Sequence, residues 1–200
     1  PGAAAGRASP AGRDRFVDLP APRRVRCGME KQAVSARAIA LIGLPASGKT
    51  SVGAVLARLE RLPFIDLDEV IAREAGRSIP DIFDDEGEPG FRARERSALE
   101  RVAEGGPVVL ATGGGCIELK ENRVTLRERF RVVWLKADPA TLARRSVGGS
   151  RPLLAGDAEG RIRALYERRR PWYAECAGYV MQTEGMRVDK IAEAIHESLR

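Results

Sequence analysis

The chain has 200 residues, 44% hydrophobic and 31% charged, enough for one domain with a substantial buried core, and no apolar run approaches the roughly 18 to 20 residues that span a bilayer. Its formal net charge is +6, but residues 1–37 carry eight Lys/Arg against three Asp/Glu, which leaves 26 against 25 for residues 38–200. The folded part therefore has no positive field to steer a nucleic acid, and each basic residue in it has to be judged as a site residue.

Residues 1–37 are rich in Ala, Gly, Pro and Arg and lack apolar periodicity, which predicts a disordered N-terminal tail. The first residue is Pro, and Met29 reads as a natural start, so the tail can contain non-native or mis-started sequence. Cys27, Cys116 and Cys176 are odd in number and show no C-x-x-C spacing. They read as reduced thiols of a cytoplasmic protein, with no apolar signal core to argue for export.

From Ala38 onward strand-like and helix-like patterns alternate. Residues 38–42 form an apolar run suited to a buried strand, and a helical pattern follows through Val52, Val55, Leu56 and Leu59. A second strand is predicted over 63–66, then helices over 68–75, 78–84 and 88–103, and a third strand over 107–111 broken by Gly113, Gly114 and Gly115. Helix 118–128, strand 131–135 and helix 138–146 come next. Residues 147–157 have loop composition, a long helix spans 158–175 with Pro171 marking a kink or boundary, and the last strand and helix cover 179–182 and 188–199. Five strands separated by helices imply crossover connections, hence a three-layer α/β fold with a five-stranded parallel sheet covered on both faces. Ligands in such sheets bind outside the carboxyl ends of the strands.

The strongest motif stands at such an end. Gly43-Leu44-Pro45-Ala46-Ser47-Gly48-Lys49-Thr50 is an unbroken G-x-x-x-x-G-K-T between a predicted strand and a predicted helix, the setting of a phosphate-binding loop. Its glycines let several N–H groups face one anion, Lys49 would reach the β and γ phosphates, and the Thr50 hydroxyl would ligate Mg²⁺. Asp66 and Asp68 end the second strand, where period-two geometry would point both carboxylates to one side for metal-water contact and hydroxyl positioning. Capping of the next helix is the competing reading of Asp68. Arg92, in Phe91-Arg92-Ala93-Arg94-Glu95, suits a planar carboxylate, against the ordinary alternative of a solvated helix face.

Gly113, Gly114 and Gly115 remove every side chain where a small ligand could approach the backbone. Cys116 beside them reads as a buried small apolar residue. Ser150-Arg151-Pro152-Leu153-Leu154, flanked by Gly148, Gly149 and Gly156, suggests a mobile lid that brings an Arg toward a transferring phosphoryl group. Arg169-Arg170-Pro171-Trp172-Tyr173 lies late in the long helix. The single His196 reads as an ordinary surface residue.

Phosphate loop, D-x-D, F-R-x-x-E, G-G-G, R-P-L-L and R-x-P-x-Y, in that order from Ala38 to the C-terminus, resemble the shikimate kinase family of P-loop small-molecule kinases. The resemblance implies an NTPase-type fold and transfer of a phosphoryl group from ATP, with Mg²⁺, to the 3-hydroxyl of shikimate, on the route to aromatic amino acids. By position, Ala46, Ser47, Gly48, Lys49, Thr50 and Ser51 would wrap the ATP phosphates. Thr50, and Asp66 through water, would hold the metal. Asp68 would accept a hydrogen bond from the attacking hydroxyl. Arg92 and Arg169 would clamp the shikimate carboxylate, and Gly114 and Gly115 would contact ring hydroxyls through backbone. Arg151 would be the lid arginine, and Arg145 would lie against adenine. The resemblance also implies a cytoplasmic monomer with no nucleic-acid or membrane partner. The chain departs from the family in a short Thr183–Met186 loop offering only Arg187, in a slightly shortened lid, and in Cys116, where a smaller residue is usual.

Two other readings compete. A kinase of another small hydroxy acid, such as gluconate, would use the same phosphate loop; Arg92, Arg169 and the triple glycine favour shikimate. A non-catalytic sensing domain of a transcription regulator would follow a helix-turn-helix, and the Pro- and Ala-rich tail shows none.

Overall fold

Ile39–Ile42 (β2) has no polar side chain and is buried at all four positions, so it belongs at the centre of a sheet covered on both sides. The computed structural model of the chain describes residues 23–24, 38–146 and 157–200. In it β2 pairs in parallel with Val109–Ala111 (β4) on one side and Arg131–Lys136 (β5) on the other. Phe64–Asp66 (β3) extends the sheet beyond β4, and Tyr179–Gln182 (β6) extends it beyond β5, both in parallel. These are the five expected parallel strands. A further two-residue strand, Arg23–Arg24 (β1), pairs antiparallel with Tyr179 and Val180, giving the order β1-β6-β5-β2-β4-β3. The tail composition predicts no regular structure there; hydrogen bonds from the open edge of β6 can recruit almost any sequence. The rest of the tail, and of the proposed lid apart from Asp157, lies outside the described residues.

Period-two alternation sorts the side chains into two cores. Ile39, Leu41, Val109, Val133 and Met181 pack on one face against Lys49–Glu60 (α1) and Val188–Ser198 (α7). Ala40, Ile42, Leu110, Val132 and Trp134 face the other way. There they meet Leu67–Ala75 (α2), Ile79–Glu104 (α3), Lys120–Arg129 (α4), Pro139–Ser146 (α5) and Ala158–Cys176 (α6). His196 is no ordinary surface residue, because its Nδ1 lies 2.8 Å from Glu60 Oε1 and ties α7 to α1.

Three local features position the site. In α3 a capping box of Ser78 and Asp81 starts the first segment, and Gly87 (φ 67°, ψ −177°) breaks the helical path before the second. The chain thus makes the two predicted helices, joined at one residue that must leave the helical basin. A short 3₁₀ turn, Cys116–Glu118, precedes α4, where the sequence predicts α-helix from 118. Third, α6 runs through Pro171 to Cys176, so Pro171 is not a boundary. It removes one backbone donor while the flanking packing holds the helix together.

Candidate active site

The carboxyl ends of β2, β3 and β4 carry three loops that meet. After β2, Gly43 (φ 149°), Ala46 (φ 62°) and Gly48 (φ 91°) take left-handed backbone. A Cβ on Gly43 would come within 2.6 Å of the Leu135 carbonyl oxygen. Gly48 occupies the N-cap of α1 without any side chain to cap it, so the first N–H groups of α1 and its positive pole face the loop interior. Lys49 is buried and folds back over the loop, its Nζ donating to the carbonyls of Gly43 (2.9 Å) and Leu44 (3.0 Å).

After β3, the Asp66 carboxylate does two things. One oxygen accepts from the Asp68 amide at 3.0 Å, capping α2, and the other accepts from Thr50 Oγ1 at 2.7 Å. The capping expected of Asp68 therefore belongs to Asp66. The period-two expectation also needs correction: the strand ends at Asp66, and Asp68 already sits in the first turn of α2. Thr50 and Asp66 present adjacent oxygens, the donor type a hard divalent cation takes, and Mg²⁺ fits beside phosphate oxygens there.

After β4, each of the three glycines makes room for a different neighbour. A Cβ on Gly113 would lie 2.8 Å from both Asp68 Oδ1 and Glu95 Oε1. One on Gly114 would meet Pro45 Cδ of the phosphate loop at 2.9 Å, and one on Gly115 would run into the Arg92 guanidinium. The loop is pinned from below by Tyr173, whose Oη donates to the Gly114 carbonyl at 2.6 Å and whose ring stacks on Trp134. Cys116 is fully buried, and burial pushes its thiol well above the ordinary range, as a small apolar residue rather than a nucleophile.

The glycine loop brings the two candidate clamp arginines together. Arg92, on the second segment of α3, donates to Glu95 Oε2 at 2.7 Å and to Glu88 Oε1 at 3.2 Å. Burial opposes its charge, but Glu95, Glu118 and Glu88 together outweigh burial and hold the guanidinium above its ordinary value. Arg169, buried on α6, donates through Nε to Glu118 Oε1 at 2.7 Å. Glu95 is fully buried and its Oε1 has no hydrogen-bond partner among the described residues. Burial pushes its carboxyl up to about 7, with Arg92 opposing, Asp68 adding to the rise and Arg169 opposing it. Asp68 and Glu95 flank Gly113, Arg92 pairs with Glu95 and backs Gly115, and Arg169 pairs with Glu118 three residues farther on, so residues 113–118 gather side chains from three helices. A cavity of about 890 Å³ opens beside it, with Arg92, Glu118 and Trp172 in its wall.

Arg145, in the last turn of α5, donates from Nη2 to the Thr183 carbonyl at 3.1 Å, joining the ends of α5 and β6. Ser51 lies in the first turn of α1, and Arg151 lies outside the described residues. Sequence reasoning gave no role to Glu95, Glu118 or Tyr173. Arg92–Glu95 is visible as an i,i+3 pair and Tyr173 ends a quoted motif, whereas Glu118 leaves no local signal.

Comparison with known proteins identifies the family. Residues 45–200 match the family described as shikimate kinase. A shikimate kinase of Symbiobacterium thermophilum is 45% identical over 81% of this chain and 95% of its own length. One of Burkholderia thailandensis is 44% identical over 72% of this chain and 80% of its own. Among solved structures, shikimate kinase from Acinetobacter baumannii in complex with shikimate superposes with a TM-score of 0.76 at 38% identity, covering 80% of this chain and 90% of that one.

Proposed function

The chain belongs to the shikimate kinase family and phosphorylates shikimate with ATP; we propose that the phosphate loop and the arginine cluster grip the two substrates while Asp68 between them orients the attacking 3-hydroxyl. The observation that carries this division of labour is the gathering of Asp68, Arg92 and Arg169 around residues 113–118, a glycine loop that also touches Pro45 of the phosphate loop.

On this reading the amides of residues 46–51 and the α1 pole surround the ATP phosphates. Lys49 supplies positive charge where the transferring group becomes more negative. Thr50, and Asp66 through water, would hold Mg²⁺, which when bound would neutralise charge on the phosphates. Asp68 accepts a hydrogen bond from the 3-hydroxyl and fixes its direction. Arg92 and Arg169 grasp the carboxylate, so the acid is held at one end and presented at the other. Gly114 and Gly115 offer backbone groups to the ring hydroxyls, Arg145 lies against adenine, and Arg151 closes over the phosphates. Positioning and charge neutralisation, rather than a strong base, make the main catalytic contribution.

The near balance of charge in residues 38–200 supports small molecules rather than nucleic acid as partners. No helix among the described residues is long and apolar enough to cross a membrane. We place the protein in the cytoplasm as a monomer, with a domain over residues 38–200, a lid at 147–157 and residues 1–37 as a tail. A coupled ADP-release assay tests the reading. ADP should form only with shikimate and Mg²⁺ present, and turnover of gluconate in its place would refute it.

A further inference from the structure

Glu118 ends the 3₁₀ turn that follows the glycine loop, and its surroundings are built. Its amide donates to the Gly115 carbonyl at 2.9 Å, and Arg123 Nη1 donates to the carbonyls of Ile117 (2.9 Å) and Glu118 itself (3.0 Å). Arg123 is fixed in turn over the Trp172 ring and against Glu175, 3.0 Å away. The backbone that carries the Glu118 carboxylate is therefore held from both sides, and the carboxylate lines the same cavity as Arg92.

One oxygen of that carboxylate, Oε1, takes 2.7 Å hydrogen bonds from Arg169 Nε and from Arg168 Nη2. Burial would raise the Glu118 carboxyl, but Arg169 and then Arg168 outweigh it and hold it below its ordinary value, so it is anionic at neutral pH. Its charge also reaches Arg92. A planar guanidinium gripped at Nε has its plane and rotation fixed, and with them the direction of its terminal nitrogens. One carboxylate shared by two guanidinium groups leaves that pair net positive, so an incoming carboxylate still meets a cation.

We infer that Glu118 is a positioning residue for the acid substrate: it presets Arg169 to receive the substrate's carboxylate and takes no part in the phosphoryl transfer. This rests on the reading of Arg169 as part of the clamp. Because Glu118 acts on the acid chiefly through Arg169, its loss should weaken acid binding and leave the chemical step and the nucleotide untouched.

The experiment is a double-mutant cycle of Glu118→Gln and Arg169→Lys, read as KM for shikimate, KM for ATP and kcat, with direct shikimate titration by calorimetry. Glu118→Gln should raise the shikimate KM roughly tenfold while kcat and the ATP KM stay within about twofold. In the Arg169→Lys background it should add less than about twofold, since the group it presets is gone. Glu100→Gln, in the wall of the same cavity but paired with Arg96, should change none of these. If Arg169→Lys raises the shikimate KM but Glu118→Gln does not, the positioning role is wrong and the clamp stands. Arg169→Lys without effect on shikimate overturns both. A lower KM in Glu118→Gln would show that the carboxylate competes with the substrate, which also overturns the inference. Should the Gln variant fold poorly, Glu118→Asp keeps the charge but withdraws it from Nε, and an unchanged KM there refutes the proposal as well.

Discussion

At the phosphate end of the cleft, residues 43–50 supply the cradle from one stretch of backbone, with Gly43, Ala46 and Gly48 in left-handed conformations and Lys49 bonded to the loop's own carbonyls. At the acid end, Asp68, Arg92, Glu95, Glu118 and Arg169 come from four separate elements, with Arg92 ion-paired to Glu95 and Arg169 to Glu118. A backbone cradle is specified locally and works through N–H groups that no side-chain replacement removes. A charge cluster is specified by the fold and has to neutralise itself before substrate arrives. The two ends should therefore fail differently: the first by losing rate, the second by losing affinity or by changing with pH.

The largest effect should come from the cationic side chain that folds over the phosphate loop. Lys49→Ala should lower kcat by about a thousandfold or more, because it removes charge at the transferring group, while shikimate binding by calorimetry changes little. A kcat within tenfold of the parent would mean that the backbone cradle alone carries the phosphate end.

At the acid end the buried carboxyl gives the next effect. Glu95 rises from an ordinary 4.5 to about 7 in the folded chain, through burial in the first place. Between these values the folded chain keeps a proton that the unfolded chain has released, so the contribution of Glu95 to stability is full below about 4.5 and is lost as pH rises through about 7. The loss over that window is on the order of 3 kcal/mol. Glu95→Gln keeps the shape and an acceptor for Arg92 but does not titrate. The Tm of the parent minus that of the variant should therefore fall by several degrees between pH 5 and pH 8; a constant difference would mean that Glu95 is ionised throughout.

Arg169→Lys should raise the shikimate KM by roughly 10- to 100-fold and leave the ATP KM unchanged, since an ammonium cannot form the paired contact with a carboxylate. Equal losses for both ligands would erase the distinction between the two ends.

The same contrast explains what could be read before any coordinates. The phosphate loop is legible because its chemistry and its fold are one local pattern, and the five parallel strands follow from apolar runs such as Ile39–Ile42. Arg92 and Arg169 could be named as candidates but not joined, because only the packing of α3 and α6 around residues 113–118 brings them to one place. Asp66 and Asp68 were legible as residue types and not as geometry, since where a strand gives way to a helix depends on the capping bond itself. The glycines were read as room for a ligand; in the structure that room is also taken by Asp68, Glu95, Pro45 and Arg92. Glu118 was invisible because its partners lie 50 and 51 positions away.

The smallest effect belongs to the seam between the ends. Gly114 presses on the Pro45 ring, with a would-be Cβ 2.9 Å from Cδ and 3.3 Å from Cγ. A proline ring cannot swing aside as the end of a long side chain can, so Gly114→Ala must push the phosphate loop, the glycine loop or both. The Gly114 carbonyl is meanwhile held by Tyr173, which resists movement on the acid side. The strain should fall on both loops, and the KM values for ATP and shikimate should rise together by about threefold, with Tm lowered only slightly. A rise for shikimate alone would mean that the phosphate loop yields at no cost to nucleotide binding. The two ends would then be independent sites that merely share a wall.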